Sequence, residues 1–288
     1  MTWLIYSLLC ALAEALKDIT SKRGLRDLNP LTVSWAFFVI TTILLLPLLF
    51  FIDIPELKSG FFLCLIAHGL TYGLSVYLYM KAISLSQLSL TVPLIMFTPI
   101  FMLLTSPIFL GESPSPLGYC GTVLIVLGSY LLNIKKNVGG IFEPFKAIAK
   151  NKGSRIMLVV ALLWSITSVI DKLGVQKSSP IFWGIGLYLF ISTYLTIALV
   201  ITKKISYSKL GANMKYLIPI GIFNTIQTLT YVYALSSGLA IYVLSIKRTS
   251  VLMVLLLSAI IFKEKNIKER MLASFIMLVG VVLIASSR

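Results

Sequence analysis

The chain has 288 residues, of which 58% are hydrophobic and 12% charged, with a mean hydropathy of +0.97. No soluble globule can cover that much apolar side chain with polar surface, so a water-soluble domain is excluded and lipid is the solvent for most of the protein. The net charge of +15 is read as basic loops that orient a membrane protein, and not as a nucleic-acid surface.

A spanning helix needs about 20 mostly apolar residues. Ten runs meet that condition: 2–21, 32–52, 60–83, 88–110, 115–134, 155–174, 181–202, 215–236, 240–262 and 269–286. Helices are expected because lipid offers the backbone no hydrogen-bond partner, and stretches such as Phe37–Leu49 lack the alternation of a barrel strand.

The first run carries Ser7, Glu14, Asp18 and Ser21 on one helical face. Glu14 lies roughly 18 Å along the helix, near mid-membrane. Lys17 is placed to pair with Glu14, and Lys22 with Asp18. Such a set is either a self-satisfied ladder or the wall of a cavity, where Glu14 and Asp18 are candidates for carrying protons. Glu14, Lys17 and Asp18 also argue against a cleavable signal.

His68, Tyr72, Ser75 and Tyr79 form a polar stripe along the third run, while Gly69 and Gly73 form a small-xxx-small pattern that predicts close helix packing. His68, the one histidine, is either a satisfied core residue or a pH sensor. Pro93, Pro99 and Pro107 are expected to bend the fourth run. Glu112 follows it, and Glu264 follows the ninth, where a carboxylate can cap the next helix.

The segment 135–154 joins two halves. Phe145, Ile148 and Ala149 at helical spacing beside lysines fit a surface helix or a basic linker. Asp171 and Lys172, near the end of the sixth run, read as an interfacial ion pair. The eighth run carries Asn224, Gln227 and Tyr231, and the ninth carries Lys247 and Arg248 roughly 11 Å deep, too far for easy snorkelling. Those two are candidates for holding a carboxylate or phosphate, or for a salt bridge with Glu14 or Asp171. Trp3, Trp35 and Trp183 fit an interfacial belt. Cys10, Cys64 and Cys120 show no metal-ligand or disulfide spacing.

The chain repeats itself. Shifted by 150, Lys22, Gly24 and Pro30 fall on Lys172, Gly174 and Pro180. Shifted by 152, Tyr79, Ala82 and Glu112 fall on Tyr231, Ala234 and Glu264. At the same offset Tyr72, Ser75 and Tyr79 face Asn224, Gln227 and Tyr231, as opposite walls of one cavity would. Lys247 and Arg248 correspond to Ile95 and Met96, so the charge is asymmetric. Five spans per half is odd, which inverts the second half. The expected architecture is all-α integral membrane, with ten transmembrane helices as two inverted five-helix repeats around a central cavity: residues 1–134, a basic connection 135–154, and 155–288. Seventeen basic residues fall in odd-numbered connections against four on the other side. That places the odd connections in the cytoplasm and both termini outside.

Ten spans in two halves, with Leu110-Gly111-Glu112 and Phe262-Lys263-Glu264 after the fourth and ninth, resemble the drug/metabolite transporter superfamily, EamA type. The stretch from Glu143-Pro144-Phe145 through Ala161-Leu162-Leu163-Trp164 to Asp171-Lys172-Leu173-Gly174 adds to the likeness. The resemblance implies a secondary carrier in the cell membrane, often an exporter of amino acids or related metabolites, working by alternating access. It also implies termini in the cytoplasm, the reverse of the charge count. A lipid-carrier flippase, with Lys247 and Arg248 on a polyprenyl phosphate, is the alternative. No nucleophile motif, HExxH or P-loop is present, so an enzyme is not expected, nor is a cofactor. The expected partners are a small-molecule solute and the lipid bilayer, with no nucleic acid; a homodimer is compatible with the sequence.

Overall fold

A computed structural model of the chain describes residues 2–24, 30–85, 94–133, 142, 145–146, 150–202, 207–254, 257 and 271–287. Among these residues ten principal helices run in order: α1 (Thr2–Gly24), α2 (Pro30–Leu45, continued by a 3-10 turn Leu46–Phe50), α3 (Phe61–Leu85), α4 (Thr98–Leu110), α5 (Pro116–Asn133), α6 (Lys152–Lys177), α7 (Pro180–Thr202), α8 (Tyr207–Ser237), α9 (Ala240–Lys247) and α10 (Met271–Ser286). They fall on the ten predicted runs, and no strand occurs among the described residues.

Local chemistry sets the boundaries. Proline opens α2, α5 and α7, where its missing N–H has no helical acceptor and its fixed φ suits the first turn. The Asn151 side chain accepts from the Gly153 N–H at 2.9 Å and caps α6. Gly111, at φ 65°, closes α4 in the left-handed region, its N–H donating to the Pro107 carbonyl at 3.1 Å.

Burial is inverted relative to a water-soluble bundle. Phe50, Leu63 and Ile201 stand exposed, while Ser7, Thr41, Thr98, Ser165 and Ser245 are fully buried. Polar groups turn inward because lipid cannot hydrogen-bond them. Among the described residues, Phe61–Tyr79, Lys152–Lys177 and Pro180–Ile201 are long and apolar enough to cross a membrane, and four shorter helices are apolar as well. Helix α1 is 23 residues long but carries Glu14, Lys17 and Asp18.

The packing relates the two halves. Helix α1 packs on α8 and α3 on α6, while α2 packs on α7 and α5 on α10. Replacing each helix by its counterpart five places along returns the same pairs. Individual residues follow the rule. A side chain at Gly69 would meet Phe190, and one at Gly221 would meet Ile40; offsets of 152 and 150 carry the first contact onto the second. Gly128 lies against Ala273 and Met277, and Gly280 against Gly121 and Ile125, again the same contact moved by 152. Thr42 donates to Ser192, its own counterpart, at 3.2 Å. The close packing expected at Gly69 and Gly73 is present, both facing α7 through Phe190 and Tyr194.

Several expectations change. Trp183 does not face lipid as a belt residue would: it is fully buried and its Nε1 donates to Asp171 at 2.9 Å. Asp171 and Lys172 do not pair with each other, because neighbours on a helix point about 100° apart. Asp171 meets His68, whereas Lys172 meets Glu112 at 3.1 Å. Glu112 does cap a helix, but it is α9 and not the following α5: its Oε2 accepts from the Ala240 N–H at 2.8 Å. Pro93, Glu264 and most of the connecting segment lie outside the described residues. Phe145 is described and packs its ring near Phe97 and Tyr130.

At Gly280 an added Cβ would lie 2.7 Å from the Gly121 carbonyl, whereas at Gly211 nothing stands within 4 Å. Gly280→Ala is expected to lower stability by about 1–3 kcal/mol through overpacking, while Gly211→Ala is neutral or slightly stabilising through helix propensity. Thermal unfolding of the detergent-solubilised variants checks the contrast.

Candidate functional site

The inward polar groups converge on a cavity of about 160 Å³. Helix α1 supplies Glu14 and Lys17, α3 supplies His68 and Tyr72, and α6 supplies Trp164 and Asp171. On the facing side α7 gives Trp183 and Tyr188, α8 gives Asn224, Gln227 and Tyr231, and the end of α9 gives Lys247 and Arg248. Helices from both halves therefore build one chamber.

Its electrostatic centre is Glu14. Lys247 Nζ lies 3.9 Å from Glu14 Oε2 and 4.8 Å from the centre of the Tyr231 ring. Lys17 and Arg248 also act on this carboxylate. The expected pairing of Lys17 with Glu14 within α1 is not made as a contact: Lys17 Nζ donates to Gln227 Oε1 of α8 at 2.6 Å and lies 5.7 Å from the Phe37 ring. Arg248 places its guanidinium carbon 5.7 Å from the Trp164 ring. A flat cation over an aromatic face keeps its charge while its hydration is reduced.

A short break in the regular helix lies at the two basic residues. Helix α9 stops at Lys247, the Arg248 N–H is shared between the Leu244 and Ser245 carbonyls, and the Thr249 N–H donates to Ile246 at 2.9 Å. The helix then resumes at Ser250. The first half has the same break: Phe97 N–H donates to Leu94 at 3.2 Å before α4 begins at Thr98. An offset of 152 carries one onto the other. The first break is lined by buried Ile95 and Met96, the second by Lys247 and Arg248.

Between α3 and α6, Asp171 Oδ1 stands 3.1 Å from His68 Nε2 and accepts from Trp183 Nε1 of α7. Tyr188 is fixed by Asn224 Nδ2 and Thr228 Oγ1, both donating to its hydroxyl at 2.9 Å. Of the residues expected at the site, Glu14, His68, Tyr72, Asn224, Gln227, Tyr231, Lys247 and Arg248 all line the cavity. Ser75 and Tyr79 stand behind it: Ser75 Oγ accepts from Trp164 Nε1 at 2.9 Å, and the Tyr79 ring packs 5.6 Å from Trp164. The Asp18 and Lys22 side chains lie outside the described residues. The sequence reading missed Trp164, Asp171, Trp183 and Tyr188; the only available signal was depth, since Asp171 lies six residues inside the end of α6.

A second buried polar cluster ties helices together outside the cavity lining. Lys172 Nζ donates to the Gly238 carbonyl and pairs with Glu112, whose other oxygen accepts from Ser106 at 2.7 Å and from Ala240. Nearby, the Tyr242 hydroxyl accepts from the Ser115 N–H at 3.0 Å and its ring stacks on Trp3. These contacts join α1, α4, α5, α6 and α9.

The family model described as "EamA-like transporter family" matches residues 1–134 and 151–286. A solved structure described as "Crystal structure of protein" is similar over 99% of this chain and 96% of its own, at 15% identity and a TM-score of 0.78. That likeness shows a shared fold. No curated protein matches the sequence significantly.

Replacing Lys172 by Met leaves Glu112 buried without its cation, and the expected cost is roughly 3–5 kcal/mol. The double variant Lys172→Met/Glu112→Gln should recover part of that loss. Unfolding midpoints of the purified proteins check it.

Proposed function

With the chain a member of the EamA-like transporter family, we propose that it moves a small polar metabolite, an amino acid or related anionic or zwitterionic compound, across the cell membrane by alternating access of two inverted halves. The observation that carries this reading is Lys247 at a helix break, 3.9 Å from Glu14 and inside a chamber built by helices of both halves. A buried cation needs an anion near it. Three cations, Lys17, Lys247 and Arg248, share the chamber with two carboxylates, Glu14 and Asp171, which leaves room for the acid group of a solute, and the rings of Tyr231 and Trp164 border the place it would occupy.

Alternating access fits the way the halves are joined. The Lys172–Glu112 pair links one half to the other, and the equivalent breaks in the fourth and ninth spans give each half a point of bending. Interrupted helices that expose backbone to a midplane site recur in secondary transporters. Export coupled to protons or to exchange is part of the proposal, with Glu14, Asp18 and His68 as the ionisable candidates. The charge of the connections supports termini outside the cell.

The test is reconstitution into liposomes with labelled amino acids. Saturable flux that responds to a proton gradient supports the reading; single-channel conductance contradicts it. Lys247→Ala and Arg248→Ala should each lower flux by at least about tenfold, the loss of one charge-assisted hydrogen bond to solute, with unchanged amounts of protein in the membrane. Wild-type flux in both variants removes them from the site.

A further inference from the structure

Arg248 is held differently from the lysine beside it. Lys247 stands against the Glu14 carboxylate and the Tyr231 ring, whereas the Arg248 guanidinium carbon lies 5.7 Å from the centre of the Trp164 ring. The repeat underlies this contrast. Trp164 takes the position in α6 that Glu14 takes in α1, at an offset of 150, and Tyr79 is the counterpart of Tyr231 at 152. One basic residue therefore meets a carboxylate and the other an indole. A carboxylate occupies the in-plane N–H fork of a guanidinium, but a ring attracts the cation through its face and takes none of those donors.

The indole is itself fixed. Its Nε1 donates to Ser75 Oγ at 2.9 Å, and Ser75 donates its own proton to the Tyr72 carbonyl at 2.7 Å. An indole N–H is a donor only, and a hydroxyl whose proton is already placed presents its lone pairs, so the second bond orients the first. Ser75 is fully buried, out of reach of bulk water. The Tyr79 ring packs 5.6 Å from the indole. Two residues of α3, four apart and so on one helical face, brace a side chain of α6 that lies against the cation of the ninth span. Trp164 and Arg248 line the chamber, with the brace behind them.

We propose that Trp164 is a positioning residue for the solute: it holds the Arg248 guanidinium with its fork toward the chamber, so that Arg248 takes the acid group in a two-bond contact while Lys247 stays with Glu14. Ser75 and Tyr79 set the plane of the indole. This rests on the reading of the chamber as the solute site and separates the duties of two adjacent cations.

The test is uptake of a labelled mixture of the standard L-amino acids by liposomes holding the full chain, with the concentration for half-maximal uptake read separately from the maximal rate. Trp164→Leu is expected to raise that concentration at least about fivefold, the loss of one cation–ring contact, with the maximal rate near that of wild type. Trp164→Phe, which keeps a ring face without the N–H, should recover part of the loss. Ser75→Ala should shift the concentration in the same direction by less. Added to Arg248→Ala, Trp164→Leu should weaken uptake no further, whereas a role confined to packing would add its own loss. A second cycle needs no solute: in thermal unfolding of the purified proteins, Trp164→Leu and Arg248→Ala together should lower the midpoint by less than the sum of the two alone. Additive losses in either cycle overturn the proposal, as does wild-type affinity in Trp164→Leu. If Lys247→Ala is impaired in that last case, the acid-binding reading stands and only the role of Trp164 is removed. No uptake by wild type removes that reading, and this role with it.

Discussion

Lipid supplies neither counter-charge nor hydrogen bond, and this constraint organises the protein. A chain that carries Glu14, Lys17, Asp171, Lys172, Lys247 and Arg248 within its helices must turn them toward one another or toward a shared polar space. The bundle does both. Lys172 is consumed by Glu112 and the Gly238 carbonyl, while Glu14 and Lys247 pair in the wall of the chamber. The apolar outer surface and the polar interior follow from the same requirement.

The repeat shapes how those charges are used. Equivalent glycines let α3 approach α7, α8 approach α2, and α5 approach α10, so the scaffold is nearly symmetric at the level of single contacts. The chemistry is not. The break before α4 is apolar and the break after α9 is basic, although both close with a bond from residue i to i−3 at equivalent positions. Symmetry supplies two equivalent helix breaks, and asymmetry puts charge at only one of them.

Hydropathy made the ten helices legible, because twenty-residue apolar runs have few other uses, and their internal match made the two halves legible. Lys247 and Arg248 were legible because charge within an apolar run is costly and their counterparts are apolar. Asp171 and Trp183 were not: counted from the apolar run, both lie at its edge, but α6 continues as a helix to Lys177 and carries Asp171 inward. The destination of Lys17 was equally hidden, since the choice between Glu14 on its own helix and Gln227 on another is made by tertiary packing. The break after α9 has no proline or glycine to announce it. There the Thr249 hydroxyl bonds the Ile246 carbonyl at 2.7 Å, competing with the helical ladder in a way spacing does not reveal.

The central claim is that two oppositely oriented halves enclose this chamber. The most direct measurement is labelling of single cysteines, introduced at Lys22 and at Lys177 in a cysteine-free background, with a membrane-impermeant thiol reagent in sealed vesicles of known orientation. These positions end the first helix of each half, so the account predicts that they label from opposite faces of the membrane. Labelling of both from the same face would contradict it.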